Sequence, residues 1–181
     1  MKILALDPAK GCTGWAVLED DGSPDGAILG AGTIKVATDG RSAHVWLGDL
    51  AREVLALHAK ERTEYVAIET PSESSGGSRS RYANRAATSM PVYGMAVGCV
   101  IAAVNTIEWE GLKAVVCVPV DHWARYLKTG GKHKPERVRV AAMLYGREVR
   151  EFGTKSDAGN VADAVILARW VLLNKVRRFN G

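Results

Sequence analysis

Asp7 closes an uninterrupted apolar run, Ile3-Leu4-Ala5-Leu6, and Glu69 closes another, Tyr65-Val66-Ala67-Ile68. A carboxylate at the end of a buried strand is costly to desolvate unless a cation or hydrogen-bond donors compensate it. Two readings stand for Asp7. It accepts hydrogen bonds from the turn amides of residues 9 to 11, or it helps to hold a cation. That a second apolar strand also ends in an acid favours a task shared by the two.

The elements that must position these acids are legible as pattern. Strands over about 2–7, 13–19 and 27–36, joined by short turns, form an antiparallel meander, because a parallel return needs a dozen or more residues. Leu47, Leu50, Val54 and Leu57 recur at helical spacing within about 42–60, ahead of the strand over 65–69. Residues 70–85 are polar, rich in Gly and Ser, and read as a loop. About 90–104 is apolar on most faces and rich in Gly94, Ala96, Gly98, Ala102 and Ala103, as expected of a buried helix packed closely on its neighbours or of a subunit interface. A fifth strand over 113–120, a short helix over about 121–127, a helix over about 136–145 and a last helix over about 158–174 complete the order. Val161, Val165, Ala168 and Leu172 form the core stripe of the last one.

The 181 residues, 47% hydrophobic, suit one domain spanning 1–181. Lys and Arg number 24 against 20 for Asp and Glu, a net charge of +4 that weakly favours acidic partners. Cys12, Cys99 and Cys117 are odd in number and lack metal-ligand spacing, so free thiols in a reducing, cytoplasmic setting are expected. No apolar run approaches membrane-spanning length and no secretory leader is seen, so neither a membrane nor export is expected. Phosphate-binding glycine loops of the Walker type are absent, and no nucleotide cofactor is expected. Trp46, Trp109, Trp123 and Trp170 read as packing residues, and none of the four histidines as a ligand.

The order strand-strand-strand-helix-strand-helix-strand-helices describes an α/β, mixed five-stranded sheet flanked by helices, and fits the ribonuclease H-like fold. Ile3-Leu4-Ala5-Leu6-Asp7-Pro8 with Thr13-Gly14-Trp15, then Ala67-Ile68-Glu69, then Ala162-Asp163-Ala164, together with the small-residue helix Tyr93-Gly94-Met95-Ala96-Val97-Gly98, resemble the RuvC family of Holliday-junction resolvases over nearly the whole chain. The resemblance implies a crossover junction endodeoxyribonuclease of DNA recombination and repair, with Asp7, Glu69 and Asp163 as metal-binding catalytic carboxylates. Phosphodiester hydrolysis needs an activated water, neutralised phosphate charge and a stabilised leaving oxygen, and two divalent ions about 3.5–4 Å apart can meet all three needs. Mg2+, with Mn2+ as a substitute, suits an all-oxygen donor set.

The family pattern places another ligand three residues before the last aspartate, and here Asn160 stands where bacterial members carry an acid or histidine. It shares a helical face with Asp163 and could serve as a neutral, weaker ligand. Asp157 has two readings, helix N-cap or substitute metal ligand. Arg79, Arg81, Tyr82 and Arg85 follow Glu69 on a loop that either contacts DNA, with Tyr82 stacking on an unpaired base, or is a solvated linker. Lys132 and Lys134 precede a helix start and could hold a phosphate together with its amides. Two symmetric nicks in a four-way junction imply a homodimer, and the helix over about 90–104 is the expected interface. The departures at Asn160 and in the loop after Glu69 point to a phage-type branch, acting in the host cytoplasm. Rivals are a nuclease of the same fold acting on RNA–DNA hybrid or RNA, and a non-catalytic junction-binding protein. The two-domain ATPase fold of actin and sugar kinases needs more chain than 181 residues.

Overall fold

The computed structural model describes residues 1–71, 86–106, 111–126, 134–145 and 155–179. Five strands form one sheet: β1 (Lys2–Asp7), β2 (Cys12–Glu19), β3 (Ala27–Lys35), β4 (Tyr65–Thr70) and β5 (Ala114–Pro119), in the order β3-β2-β1-β4-β5. The first three are an antiparallel meander, whereas β4 and β5 join parallel to β1 and to each other. The two parallel crossovers contain α1 (Ala43–Glu61) and α2 (Ala86–Asn105). Among the described residues, three helices follow β5: α3 (Val120–Tyr126), α4 (Lys134–Tyr145) and α5 (Lys155–Phe179).

Helices cover both faces of the sheet, which is why β1 and β4 are near-continuous apolar runs rather than alternating ones. Leu4, Leu6, Val66 and Ile68 turn toward α1 and α2, while Ile3, Ala5, Tyr65 and Ala67 turn toward α3, α4 and α5. The two-residue period then dictates that Asp7 and Glu69 leave their strands on the α5 face.

α1 buries Trp46, Leu50, Val54 and His58, one residue per turn plus a fraction, with Leu47 and Leu57 only partly buried beside them. The core row is therefore rotated from the Leu47-to-Leu57 stripe read in the sequence. His58 fits because its Nδ1 lies 2.6 Å from Thr63 Oγ1, and burial pushes its pKa down, keeping the ring neutral. Arg62, in the left-handed region at φ 50°, ends the helix by donating its N–H to the His58 carbonyl at 2.8 Å.

α2 departs from the buried-helix reading, one of the two made for it, on one side only. Ala96, Val97, Val100 and Val104 are buried, but Pro91, Gly94, Met95, Gly98 and Ala102 form an exposed stripe on the other side. A Cβ built at Gly94 or Gly98 meets nothing within 4 Å among the described residues, so these glycines do not serve close packing against them.

α5 is the element on which the acids depend. Every residue from Asp157 to Ala168 is buried, and Val171 and Leu172 continue the apolar row. Gly14 of β2 makes this seat possible: a Cβ there would lie 2.1 Å from the Asn160 carbonyl oxygen and 2.4 Å from its carbon. Farther along, the Arg169 guanidinium pairs with Asp25 in the turn between β2 and β3, its Nε 2.7 Å from Oδ1. Gly14→Ala is therefore expected to lift the first turns of α5 off the sheet and to cost about 2–4 kcal/mol. Chemical denaturation measures the loss, and wild-type stability in this variant would contradict the close seat.

Candidate active site

Two strands and one helix bring the acids together. β1 and β4 pair in parallel with Leu6 opposite Ile68, so Asp7 and Glu69 follow as neighbours at the carboxyl ends of adjacent strands, about 4.8 Å apart in backbone. Carboxyl ends of parallel strands are where ligand sites of open α/β sheets form. Asp163 comes to the same face from α5, one turn beyond the Asn160 seat on Gly14. All three are buried, Asp7 at 7%, Glu69 at 9% and Asp163 at 4% exposure, too dry for three negative charges without compensation.

Glu69 registers that conflict. Burial, then the charge of Asp7, then that of Asp163, push its pKa well above the ordinary value of 4.5. Two groups pull in the opposite direction, the Arg137 guanidinium of α4 and the Tyr93 hydroxyl of α2. Tyr93 donates to Glu69 Oε1 at 3.3 Å, and its own phenol is pushed up by burial and by the neighbouring carboxylates. Arg137 Nε lies 3.1 Å from Asp163 Oδ1, in a geometry too poorly aligned for a hydrogen bond and therefore a coulombic pairing. Glu69 Oε2 is buried with no hydrogen-bond partner among the described residues.

Asp157 and Asn160 join a second, adjoining group. α5 begins at Lys155, so Asp157 lies within the first helical turn and is not the N-cap. The apolar stripe begins only at Ala158, which set the sequence-based start too late; the helix extends back through polar residues whose acid favours the positive helix end. Asp157 Oδ2 accepts from Lys35 Nζ at 2.6 Å, and its Oδ1 lies 3.5 Å from Cys12 Sγ. Asn160 Nδ2 donates to the Cys12 carbonyl at 3.0 Å. The start of α5 is thus tied to the start of β2 and the end of β3.

Arg79, Arg81, Tyr82, Arg85 and Lys132 lie outside the described residues, as does Trp109. Lys134 opens α4, one turn before Arg137, though its side chain is not among those described. Trp46 and Trp123 are core residues. The three cysteines are free thiols. No described helix is long and apolar enough to cross a membrane.

Sequence reasoning did not single out Arg137, Tyr93 or Lys35 for the site. The available signal was Arg137 beside Val138 just after the basic stretch Lys128 to Lys134: Val138 enters the core, and the helix sets its neighbour Arg137 at the edge of that buried face.

Among the described residues, no three His, Cys, Asp or Glu side chains already form a metal cage as they stand. The donor set nevertheless fits a hard divalent cation: it is made of carboxylate oxygens, they repel one another, and Glu69 Oε2 is an orphaned buried acceptor. The raised Glu69 pKa has a definite consequence for the metal-free chain. Between 4.5 and the higher folded value the folded state holds a proton that the unfolded state releases, so the penalty from this group is absent below 4.5 and grows as pH rises through the window. In EDTA, the melting temperature of Glu69→Gln should exceed that of wild type by a margin that widens from about pH 5 to pH 8. A margin independent of pH would contradict the shift.

No family model matches the chain, and no curated protein matches it either. Solved structures do. Thermus thermophilus RuvC in complex with a Holliday junction substrate is similar with a TM-score of 0.72 and 19% identity over 98% of this chain and 96% of that one. A second Thermus thermophilus RuvC structure gives 0.71 and 20%, covering 98% and 97%. The yeast mitochondrial Holliday junction resolvase Ydc2 gives 0.64 and 14%, covering 98% of this chain and 82% of that one. The chain therefore has the α/β, ribonuclease H-like fold of the RuvC structures, with its mixed sheet and flanking helices in place across almost its full length.

Proposed function

We propose that this protein is a divalent-metal-dependent endonuclease that resolves four-way DNA junctions by paired nicks, acting as a homodimer. The observation that carries the reading is the meeting of Asp7, Glu69 and Asp163 in one dry, mutually repelling group at the carboxyl ends of β1 and β4. The likeness of the chain to a RuvC structure bound to a Holliday junction supports the choice of substrate.

In this reading Asp7, Glu69 and Asp163 hold Mg2+ or Mn2+, with Asn160 at the remaining protein position. Asp157 is the weaker alternative because Lys35 and Cys12 already engage it. The Asn160 N–H donated to the Cys12 carbonyl would fix the amide plane, the way a hydrogen-bonded outer partner orients a ligand. A bound pair of divalent ions would supply charge for the phosphate, acidify an attacking water and stabilise the leaving oxygen. The chain's own residues do the rest. Tyr93 holds Glu69 by one oxygen, the Gly14 seat fixes the distance of α5 from the sheet, and burial keeps bulk water from diluting the field.

Arg79, Arg81, Tyr82, Arg85, Lys132 and Lys134 are proposed on sequence alone to contact DNA on either side of this site. The start of α4 reaches the acids through Arg137, which supports a phosphate-binding role for the basic segment that leads into it. For the dimer, support comes from the α2 stripe of Pro91, Gly94, Met95, Gly98 and Ala102, an apolar, low-relief face with Met95 41% exposed.

Cleavage of a labelled immobile four-way junction, beside linear duplex, RNA–DNA hybrid and single strand, tests the reading. Symmetric nicks on the junction alone, lost in EDTA and in Asp7→Asn, are expected. Asp7→Asn should keep or strengthen junction binding, because one negative charge facing phosphate is gone. Preferential cutting of hybrid would overturn the substrate, and binding without any cutting would overturn the enzyme. Arg81→Ala or Lys132→Ala should weaken binding and reduce its salt slope by about one per lost phosphate contact, read from binding isotherms at several salt concentrations.

A further inference from the structure

Arg137 is an unusual companion for three proposed metal ligands. It stands in the first turn of α4, its guanidinium carbon 5.8 Å from the centre of the fully buried Trp123 ring, and its side chain is only 17% exposed. One end meets Asp163 Oδ1 at 3.1 Å, and its charge also reaches Glu69. A guanidinium cannot shed its proton in a protein, so the positive charge is permanent. Holding it this far from water costs free energy that, among the described residues, the acids and to a lesser degree the Trp123 face return. The poor hydrogen-bond alignment with Asp163 matters here: the contact supplies charge without the bidentate lock that would commit the carboxylate to arginine.

We propose that Arg137 is the internal counter-cation of the carboxylate group, stabilising Asp163 and Glu69 when no divalent ion is bound and competing with that ion for Asp163. The proposal rests on the reading of these acids as a metal site. It makes Arg137 a positioning residue, one that sets how much metal the site needs. A divalent ion arriving at the acids takes over the compensation that the guanidinium provides, and the guanidinium charge then opposes the ion. Removing Arg137 therefore has opposite effects on the two states: the metal-free chain loses its compensation, and the metal-bound chain loses a competitor.

Thermal unfolding and metal titration of the full chain separate these effects. In EDTA, Arg137→Gln should melt lower than wild type by about 2–6 °C. Titrated with Mg2+ or Mn2+, it should bind about tenfold more tightly than wild type and gain more melting temperature on saturation, while Arg137→Lys, which keeps the charge, should stay near wild type. Should Arg137→Gln fail to fold in EDTA, the same substitution in an Asp163→Asn background decides the matter, because with one acid neutralised its cost should shrink. A cost unchanged by Asp163→Asn, or metal affinity equal to or weaker than wild type in Arg137→Gln, would overturn the proposal and leave Arg137 as a packing partner of Trp123. A wild type whose melting temperature ignores both ions would instead contradict the metal reading itself, a result distinct from unequal or equal titrations of two metal-responsive proteins.

Discussion

Repulsion among three carboxylates at the edge of an apolar core is the constraint to which the rest of the molecule answers. Asp7, Glu69 and Asp163 each lose hydration on burial and each raises the cost of charging the others, most visibly at Glu69. The Ile, Leu, Val and Ala side chains of the sheet have no polar group with which to offset such a cost. The compensation comes from elements on both sides: Tyr93 from α2 around the sheet end, Arg137 from α4 on the α5 face. In the proposed function, a site arranged in this way trades stability of the empty protein for affinity toward cations, the compromise expected where function depends on a repelling group of charges.

Because the acids come from distant parts of the chain, their spacing depends on how closely the elements pack. β1 and β4 are fixed by parallel pairing, and their side-chain parity sends Asp7 and Glu69 to one face. α5 is fixed by contact of its backbone with Gly14, by the ties from Asp157 and Asn160 to Lys35 and Cys12, and by Arg169 to Asp25 at the far end. The glycine that lets the helix approach and the acid that the approach delivers therefore lie 149 residues apart in sequence, positions 14 and 163, yet act as one unit.

Much of this was legible in the sequence, and for physical reasons. A strand buried on both faces must be apolar throughout, so β1 and β4 announce themselves and an acid at the end of either one stands out. The meander and the two crossovers follow from connection lengths, and the ribonuclease H-like order follows from the elements. What was hidden depended on packing between elements. The pairing of Arg137 with Asp163 exists only because α4 lies against α5, and no spacing along the chain encodes it. Of the two sequence readings of Asp157 the N-cap fails, because the helix begins two residues earlier, at Lys155, and the Asp157 carboxylate meets Lys35 and Cys12 instead. The exposed glycines of α2 resemble an interior packing motif in sequence, and only the burial of Ala96, Val97, Val100 and Val104 on the opposite side reveals which face is unpartnered.

The central claim is that the buried acids exist to hold divalent cations. Anomalous diffraction from crystals grown with Mn2+ tests it most directly, since manganese can be located without reference to activity. The account predicts manganese bonded to carboxylate oxygens of Asp7, Glu69 and Asp163, with Glu69 Oε2 no longer an orphaned acceptor. Crystals with no manganese at these side chains, and with Glu69 instead protonated and hydrogen-bonded to a neighbouring acid, would contradict it.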